Sequence, residues 1–476
     1  MAVTGMNFTL LLPELILVAT GILLVLLDLF TEQKRVLVYA GLAGVLASLL
    51  ALIPGFGTTA SIWADMIQVD SLAGFFKIVF LAVTALALLV SLEYVERRQI
   101  QAGEFYALLI FATVGMFLMA SSLNLLVIYL GLELVAIASY ALVGLLKQDG
   151  RSVEASIKYL LVSSATSAVF LFGISLVYGT TASLALPQIA QALAAGAASQ
   201  PVLFAGMLFL LAGLAFKVAA FPFHMWAPDT YEGSPTPISA FLITGAEAAG
   251  FAALLRVFLV GLPGLADAWT TIFAALSVLT MTYGNVTAIS QTKIKRLMAY
   301  SAIAQAGYVL VGLAVATGQG TAAMLYYLLV YAFMTVGAFA VIILVANSGA
   351  GEEISDFRGL SQRSPFFAWA LVIYFLSLIG IPPTAGFFGK LNLFSAAIAA
   401  DMTWLAVVMV INSVISAPYY FKVIRTMFLE EAAEAEPVRA PASLTWATAI
   451  TLVVTILLGL VPDQVYSWVR LVAGAL

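Results

Sequence analysis

The chain has no cysteine and one histidine in 476 residues, and only 9% of it is charged. Without cysteine it can hold no disulfide, no thiolate-ligated iron–sulfur cluster and no cysteine zinc site of its own. The lone histidine, His224, excludes a bis-histidine haem within the chain. The scarcity of charge is equally informative. Soluble globular domains are about 25% charged, and a chain of this length would ordinarily cover about three of them. Twenty Lys and Arg with 24 Asp and Glu cannot cover such a surface. A soluble enzyme, a nucleic-acid binder and a disordered scaffold are therefore excluded. A basic region before the first apolar run is also missing, and that run, Phe8 to Phe30, is too long for the core of a signal peptide. It is expected to be the first membrane span.

What the chain does have is apolar sequence, 63% of it, in runs that recur from end to end. About 20 apolar residues cross a bilayer as a helix. Fourteen spans are expected, at 8–30, 36–54, 71–92, 104–121, 122–146, 152–179, 202–226, 235–260, 268–290, 297–317, 320–346, 365–400, 403–428 and 442–474. The runs do not alternate as barrel strands do, and the hydrocarbon core demands internally satisfied backbone. The fold class is thus an all-α polytopic membrane protein. Spans seven, twelve and fourteen contain Pro and are expected to be broken or extended.

Alternate connections carry the cations: Lys34 and Arg35; Arg97 and Arg98; Lys147 and Arg151; Lys293, Lys295 and Arg296; Arg358 and Arg363; Lys422, Arg425 and Arg439. The intervening connections hold Asp65, Asp70, Asp267 and Asp401 but no Lys or Arg. By the positive-inside rule the basic set faces the cytoplasm. Fourteen crossings then leave both termini outside, in keeping with the uncharged start 1–7. One inner connection departs from the pattern: APDTYEGSPTP carries Asp229 and Glu232 and no cation. It reads equally as a functional loop or as a Pro-stiffened turn capping span eight.

A charge at the bilayer centre costs about 2.5–3.5 kcal/mol even on insertion scales. Glu14, Asp28, Lys77 and Arg256 lie near span ends, where an interface anchor or a local partner suffices. Glu133, Lys217, Glu247 and Lys390 are different. At 1.5 Å per residue each falls near mid-depth, on spans five, seven, eight and twelve. Titratable groups at one level on four helices point to an ion or proton path, against the blander reading of structural ion pairs. Lys158, near the start of span six, either snorkels outward or pairs inward with Glu133, and Ser163, Ser164, Thr166 and Ser167 follow it. They suggest close helix packing or a hydrated path. Pro222 follows Lys217 and should break span seven beside it. His224, beyond the break, is suited to relaying protons between a buried Lys and water. Pro382 and Pro383 likewise interrupt span twelve before Lys390, with Gly386 and Gly389 loosening it. Lys390 lies 173 residues after Lys217, about five spans. An odd number of spans between equivalent broken segments implies two inverted five-helix repeats, spans 4–8 and 9–13. The expected units are 1–103, three N-terminal helices; 104–260, the first repeat; 261–428, the second; and 429–476, a C-terminal helix.

Four stretches carry a resemblance: LNLLVIYLGLELVAIASYALVG around Glu133, GLAFKVAAFPFHMWAPDTYEGSPTP around Lys217, KIKRLMAYSAIAQAGY in span ten and GIPPTAGFFGKLNLF around Lys390. They resemble the antiporter-like membrane subunits of respiratory NADH–quinone oxidoreductase (complex I), which are related to Mrp-type cation/proton antiporter subunits. The start LLPELILVATGILLVLLDLF, Lys at 390 and the short stretch after span fourteen are similar to the subunit N branch. The resemblance implies a bacterial inner-membrane subunit that moves protons from cytoplasm to periplasm. Glu133 and Lys217 would form a pair with Lys158 beside it, His224 would serve the input and Lys390 the output. Glu247 departs from the family's usual Lys or His there, and its carboxylate is expected to pair with Lys217 or Lys390. NADH, FMN, iron–sulfur clusters and quinone would belong to partner subunits, with no cofactor, metal or nucleic acid bound by this chain. The rival readings are an Mrp-type antiporter subunit without redox coupling and a passive membrane scaffold.

Overall fold

The computed structural model describes residues 8–63, 66–196, 201–349, 351–431 and 437–474; Asp65 and the start 1–7 lie outside them. The apolar runs are helical. α1 (Leu12–Phe30), α2 (Arg35–Leu52) and α3 (Ser71–Arg97) come first. Then come α4 (Ala102–Ser121), α5 (Leu125–Val143), α6 (Gly150–Thr181) and the short α7 (Leu186–Ala194). The seventh expected span is α8 (Pro201–Lys217), which stops at the lysine, followed after an irregular stretch by α9 (Trp226–Gly233). The eighth is one continuous helix of α10 (Thr236–Phe241), a π-turn at Leu242–Ala246, α11 (Glu247–Leu255) and a second π-turn at Arg256–Gly261. α12 (Ala266–Ile289), α13 (Ile294–Val315), α14 (Gly318–Asn347) and the one-turn α15 (Leu360–Arg363) lead to a second broken span. This is α16 (Pro365–Ile379) and α17 (Ala385–Ala399). α18 (Thr403–Leu429), α19 (Ala442–Leu460) and α20 (Pro462–Ala473) complete the chain. Among the described residues twelve helices are long and apolar enough to cross a membrane; α8, α16 and α17 are shorter apolar helices.

Each interruption has a local cause. After α8, Ala219 adopts the left-handed region (φ 50°), and Pro222 follows without an N–H to donate. After α16, Gly380 turns the chain at φ 92° before Pro382 and Pro383. Span fourteen ends at Leu460, and Pro462 opens α20 at its first position, whereas Pro418 leaves α18 continuous over Thr403–Leu429. Two features have no counterpart in the sequence reading. One is α7; the other is a small hairpin, β1 (Ala60–Ile62) antiparallel to β2 (Ile67–Val69), paired Ala60 to Val69 and Ile62 to Ile67.

Small residues set the closest helix approaches. A Cβ on Gly115 or Gly131 would meet the other's carbonyl oxygen at 2.8 Å, so α4 and α5 touch backbone to backbone. α12 and α13 also approach closely, since a Cβ on Gly284 would lie 2.6 Å from the Ala304 nitrogen and one on Gly307 2.4 Å from the Met281 nitrogen. Gly386 and Gly389 were expected to loosen span twelve, and they do the opposite. A Cβ at Gly386 would lie 1.8 Å from the Ser377 carbonyl oxygen and one at Gly389 would lie 2.3 Å from the Tyr327 ring, so both are close-packing positions.

The continuous helix 236–261, α13 and α14 form the buried centre. α1, α2, α6 and α18 turn large apolar side chains outward, such as Leu26, Tyr39, Leu161 and Val414. The charges near span ends were expected to anchor at an interface or find a local partner; of these only Asp28 has a local one, while Glu14, Lys77 and Arg256 are buried against partners distant in sequence. Lys77 pairs with Glu14 at 2.6 Å. Both Asp70 oxygens accept from Arg256 at 2.7 Å, and Arg256 also donates to the Ala120 carbonyl. Asp28 pairs with Lys34 in a more exposed position.

Candidate functional site

The first break exposes the end of α8 to two neighbouring helices. Lys217, the last residue of α8, is buried and its ammonium donates to the Tyr159 hydroxyl of α6 at 3.5 Å. Tyr159 is held in turn by stacking on Trp226, centroids 4.7 Å apart, and the Trp226 indole donates to the Phe216 carbonyl next to the lysine. Trp226 opens α9, so the helix after the break clamps the one before it. Gly250 of α11 packs on the Cβ of Lys217, which sets Glu247, one turn earlier, close by.

Glu247 is 2% exposed, immediately after a π-turn, a local widening that recurs at functional sites. Its expected partner was a lysine. The partner found is the Tyr231 hydroxyl of α9, which donates at 2.7 Å. α9 curls its Tyr231 inward toward α11, so the carboxylate is held by a neutral donor. Glu133 on α5 accepts a short hydrogen bond from Ser167 of α6, one turn from Tyr129. It lies within electrostatic reach of Lys217 without an ion-pair contact.

Lys158 is not beside Glu133. It points outward from α6 and pairs with Glu154 at 2.8 Å and Asp229 at 2.9 Å. Of the hydroxyl run after it, Ser167 alone meets Glu133; Thr166 bonds back to the Val162 carbonyl. The charge anomaly of the α9 connection resolves the same way, since its cations come from elsewhere. Asp229 accepts from Lys158 and Arg296, and Glu232 from Lys293 and Arg296. Partial burial pushes both carboxyls up, but the hydrogen bonds from these cations outweigh it and hold each below its ordinary value. His224 lies on the irregular stretch rather than on a helical face shared with Lys217. Its ring packs against Phe221 and Tyr283, with centroids 5.3 and 4.4 Å away, and its Nδ1 is buried without a hydrogen-bond partner among the described residues.

The second break is built differently. Lys390 of α17 reaches back across Gly380–Thr384, and its ammonium donates to the carbonyls of Leu378 (2.9 Å) and Ile379 (3.0 Å) at the end of α16. Those are orphan carbonyls of a helix C-terminus, where a cation is favoured. Ser413 accepts a third bond at 3.2 Å, and the Tyr308 ring lies 4.2 Å away.

Sequence reasoning also missed Gln305 on α13. Its amide donates to the same Leu378 carbonyl at 3.1 Å, and its oxygen accepts from Tyr327 at 2.5 Å. The signal was available: Gln305 lies 172 residues after Glu133, nearly the spacing of the two lysines. Tyr159 and Tyr231 carried no comparable sequence signal.

Comparisons with known proteins agree with this architecture. Residues 122–416 match the family model of the NADH:quinone oxidoreductase/Mrp antiporter transmembrane region. NADH-quinone oxidoreductase subunit N 2 of Symbiobacterium thermophilum is 45% identical over 89% of each chain. Subunit N of Trichlorobacter lovleyi is 42% identical, covering 98% of this chain and 96% of its own. Among solved structures, a chain of respiratory complex I from Thermus thermophilus with bound aureothin superposes with a TM-score of 0.82. It is 32% identical over 96% of this chain and 98% of that one. The chain is a member of the NADH:quinone oxidoreductase/Mrp antiporter transmembrane family, among relatives that are subunits N of an oxidoreductase complex.

Proposed function

We propose that the chain is the proton-translocating subunit N of an NADH–quinone oxidoreductase in a bacterial inner membrane, assembled with other membrane subunits. Protons pass from cytoplasm to periplasm through Glu133, Lys217, Glu247 and Lys390, with His224 on the input side. Lys158, tied to Asp229, belongs to the entrance. The observation that carries this reading is a contrast in pairing. Lys77 and Arg256, buried to the same degree as Lys217 and Glu247, each have a carboxylate in direct contact, whereas Glu133 is half-buried. Among the described residues Glu133, Lys217, Glu247 and Lys390 have no opposite charge within ion-pair distance. A buried charge without a counter-charge is costly, and a titratable group can relieve the cost by exchanging a proton. On this reading NADH, FMN, iron–sulfur clusters and quinone belong to partner subunits. Redox chemistry there would shift the electrostatic balance that Lys217 and Glu133 respond to.

The units 1–103, 104–260, 261–428 and 429–476, with the two middle ones inverted repeats and both termini periplasmic, complete the proposal. The glycine contacts that join α4 to α5 and α12 to α13 support it, as does the placement of Lys217 and Lys390 at corresponding breaks. A tag at either terminus should be reached by a membrane-impermeant label from the periplasmic side alone. The decisive experiment is Lys217→Ala in the assembled complex in proteoliposomes. Most pumping-linked turnover should be lost, whereas full turnover with full proton-to-electron stoichiometry sinks the proposal.

A further inference from the structure

Glu247 has its hydrogen-bond donor on α9, the short helix after the first break. The Tyr231 hydroxyl donates to it at 2.7 Å; Tyr231 is 0% and Glu247 2% exposed. A buried tyrosine needs one partner for its hydroxyl, and a backbone carbonyl suffices: Tyr326 donates to the Leu458 carbonyl and Tyr374 to the Thr448 carbonyl. Tyr231 instead meets a carboxylate, and α9 is tied down on both sides of it. The Tyr231 carbonyl accepts from Ser239 at 2.8 Å, and Ser239 shares a hydrogen bond with Ser234 at 2.8 Å. Buried Lys295 of α13 donates to the Ser234 carbonyl at 2.6 Å. Earlier on α9, Asp229 is bonded to Lys158 and Arg296, and the Tyr231 ring meets Trp226 edge-on with centroids 5.4 Å apart. The hydroxyl is therefore presented to Glu247 by a braced helix.

The other titratable groups around Glu247 come from its packing neighbours. Gly250 brings α11 onto Lys217 of α8, behind which lies Tyr159 of α6, and Tyr331 of α14 is within electrostatic reach. α3 and α4 also pack on α11. Lys77 there is paired with Glu14, and Glu93, Tyr94, Glu96, Arg97, Glu104 and Tyr106 lie near their helix ends. Arg256, on the same continuous helix as Glu247, is paired with Asp70. Among the described residues none of these forms a hydrogen bond or ion pair with Glu247, and Tyr231 does.

We infer that Tyr231 is a positioning residue whose fixed hydroxyl favours the ionised carboxylate of Glu247 and so sets the pH range over which Glu247 takes up and releases its proton. The inference rests on the proton-translocating reading of Glu247. A donor to a carboxylate stabilises the anion more than the acid. The Tyr231 proton stays on its own oxygen throughout, and the exchange takes place at Glu247.

The test uses the assembled complex in proteoliposomes, with its amount checked for each variant. Glu247→Gln identifies the carboxylic C=O stretch of Glu247 in infrared difference spectra. The pH at which half of that band is lost is then compared among variants, beside the pH profile of pumping-linked turnover. In Tyr231→Phe both should move up by about one pH unit or more, the size of a lost hydrogen bond to a charged group. Replacement of Tyr231 by 3-fluorotyrosine keeps the ring and the hydroxyl but makes a stronger donor, so it should move both down. An unchanged band midpoint in Tyr231→Phe, whatever its turnover, assigns a packing role and overturns the inference. A shift of the same sign in both variants also overturns it. Wild-type turnover and stoichiometry in Glu247→Gln overturns the translocation reading of Glu247 itself, which the band midpoints do not test.

Discussion

The two broken spans place a lysine at a helix interruption, and they surround it with opposite kinds of partner. Lys217 ends its half-helix within reach of a titratable carboxylate, Glu133, with Glu247 nearby on the helix that packs against it. Lys390, in the second turn of its half-helix, meets the fixed carbonyls of Leu378 and Ile379, a serine and an aromatic ring, with no carboxylate in contact among the described residues. Where the first half has Glu133, the second has the neutral Gln305. A helix C-terminus offers about half a negative charge that never titrates. The surroundings of Lys217 can therefore change charge during a cycle and those of Lys390 cannot. A proton that leaves a variable environment for a constant one has a preferred direction, which is what an output site requires.

Lys390→Arg attacks this comparison most directly. Arg keeps the charge and can donate to the same carbonyls, but it does not deprotonate in proteins. If Lys390 must take up and release a proton, turnover coupled to pumping should fall by about tenfold or more. If only a fixed positive charge is needed, Lys390→Arg should retain turnover where Lys390→Gln loses it. Proton-to-electron ratios in proteoliposomes decide between the two.

An exchange of the two polar residues sharpens the contrast further. Glu133→Gln makes the first half resemble the second and should lower turnover severalfold. Gln305→Glu gives Lys390 a charged neighbour, which should also slow turnover, because an ammonium held by a buried carboxylate gives up its proton less readily. Faster turnover in Gln305→Glu would mean that the absence of a carboxylate near Lys390 has no bearing on release.

Much of this was legible in the sequence because it depends on one-dimensional quantities. Run length gave the long helices, Pro222 and the Pro382–Pro383 pair gave the two breaks, and depth along each span singled out Glu133, Lys217, Glu247 and Lys390. What escaped depends on which way side chains turn. Lys158 and Asp229 are 71 residues apart and meet only because α9 folds back along α6. Glu247 meets Tyr231 rather than a lysine because the Tyr231 side chain of α9 reaches across to the first residue of α11. Gln305 is neutral and so does not stand out by charge, although its spacing from Glu133 marks it. Strands as short as β1 and β2, three residues each, leave no alternation to detect.

The smallest expected effect lies at the entrance to the first break. The connection through α9 carries Asp229 and Glu232, whereas the second break, Gly380–Thr384, carries no charge at all. Hydrogen bonds from Arg296 and Lys293 prevail over partial burial and keep the Glu232 carboxyl below its ordinary value. Such a group stabilises the folded state when ionised. Its contribution is present above the unfolded pKa, about 4.3, and is lost as pH falls through the lower folded value. The pair is partly exposed, so Glu232→Gln should cost less than about 1 kcal/mol at pH 7. The difference in thermal unfolding should shrink as the pH drops below about 4, near the unfolded value. A gap in melting temperature that stays constant down to pH 3 would mean that Glu232 acts through packing alone. The anionic connection would then not be an electrostatic brace between α9 and α13, and the two breaks would be more alike than their charges suggest.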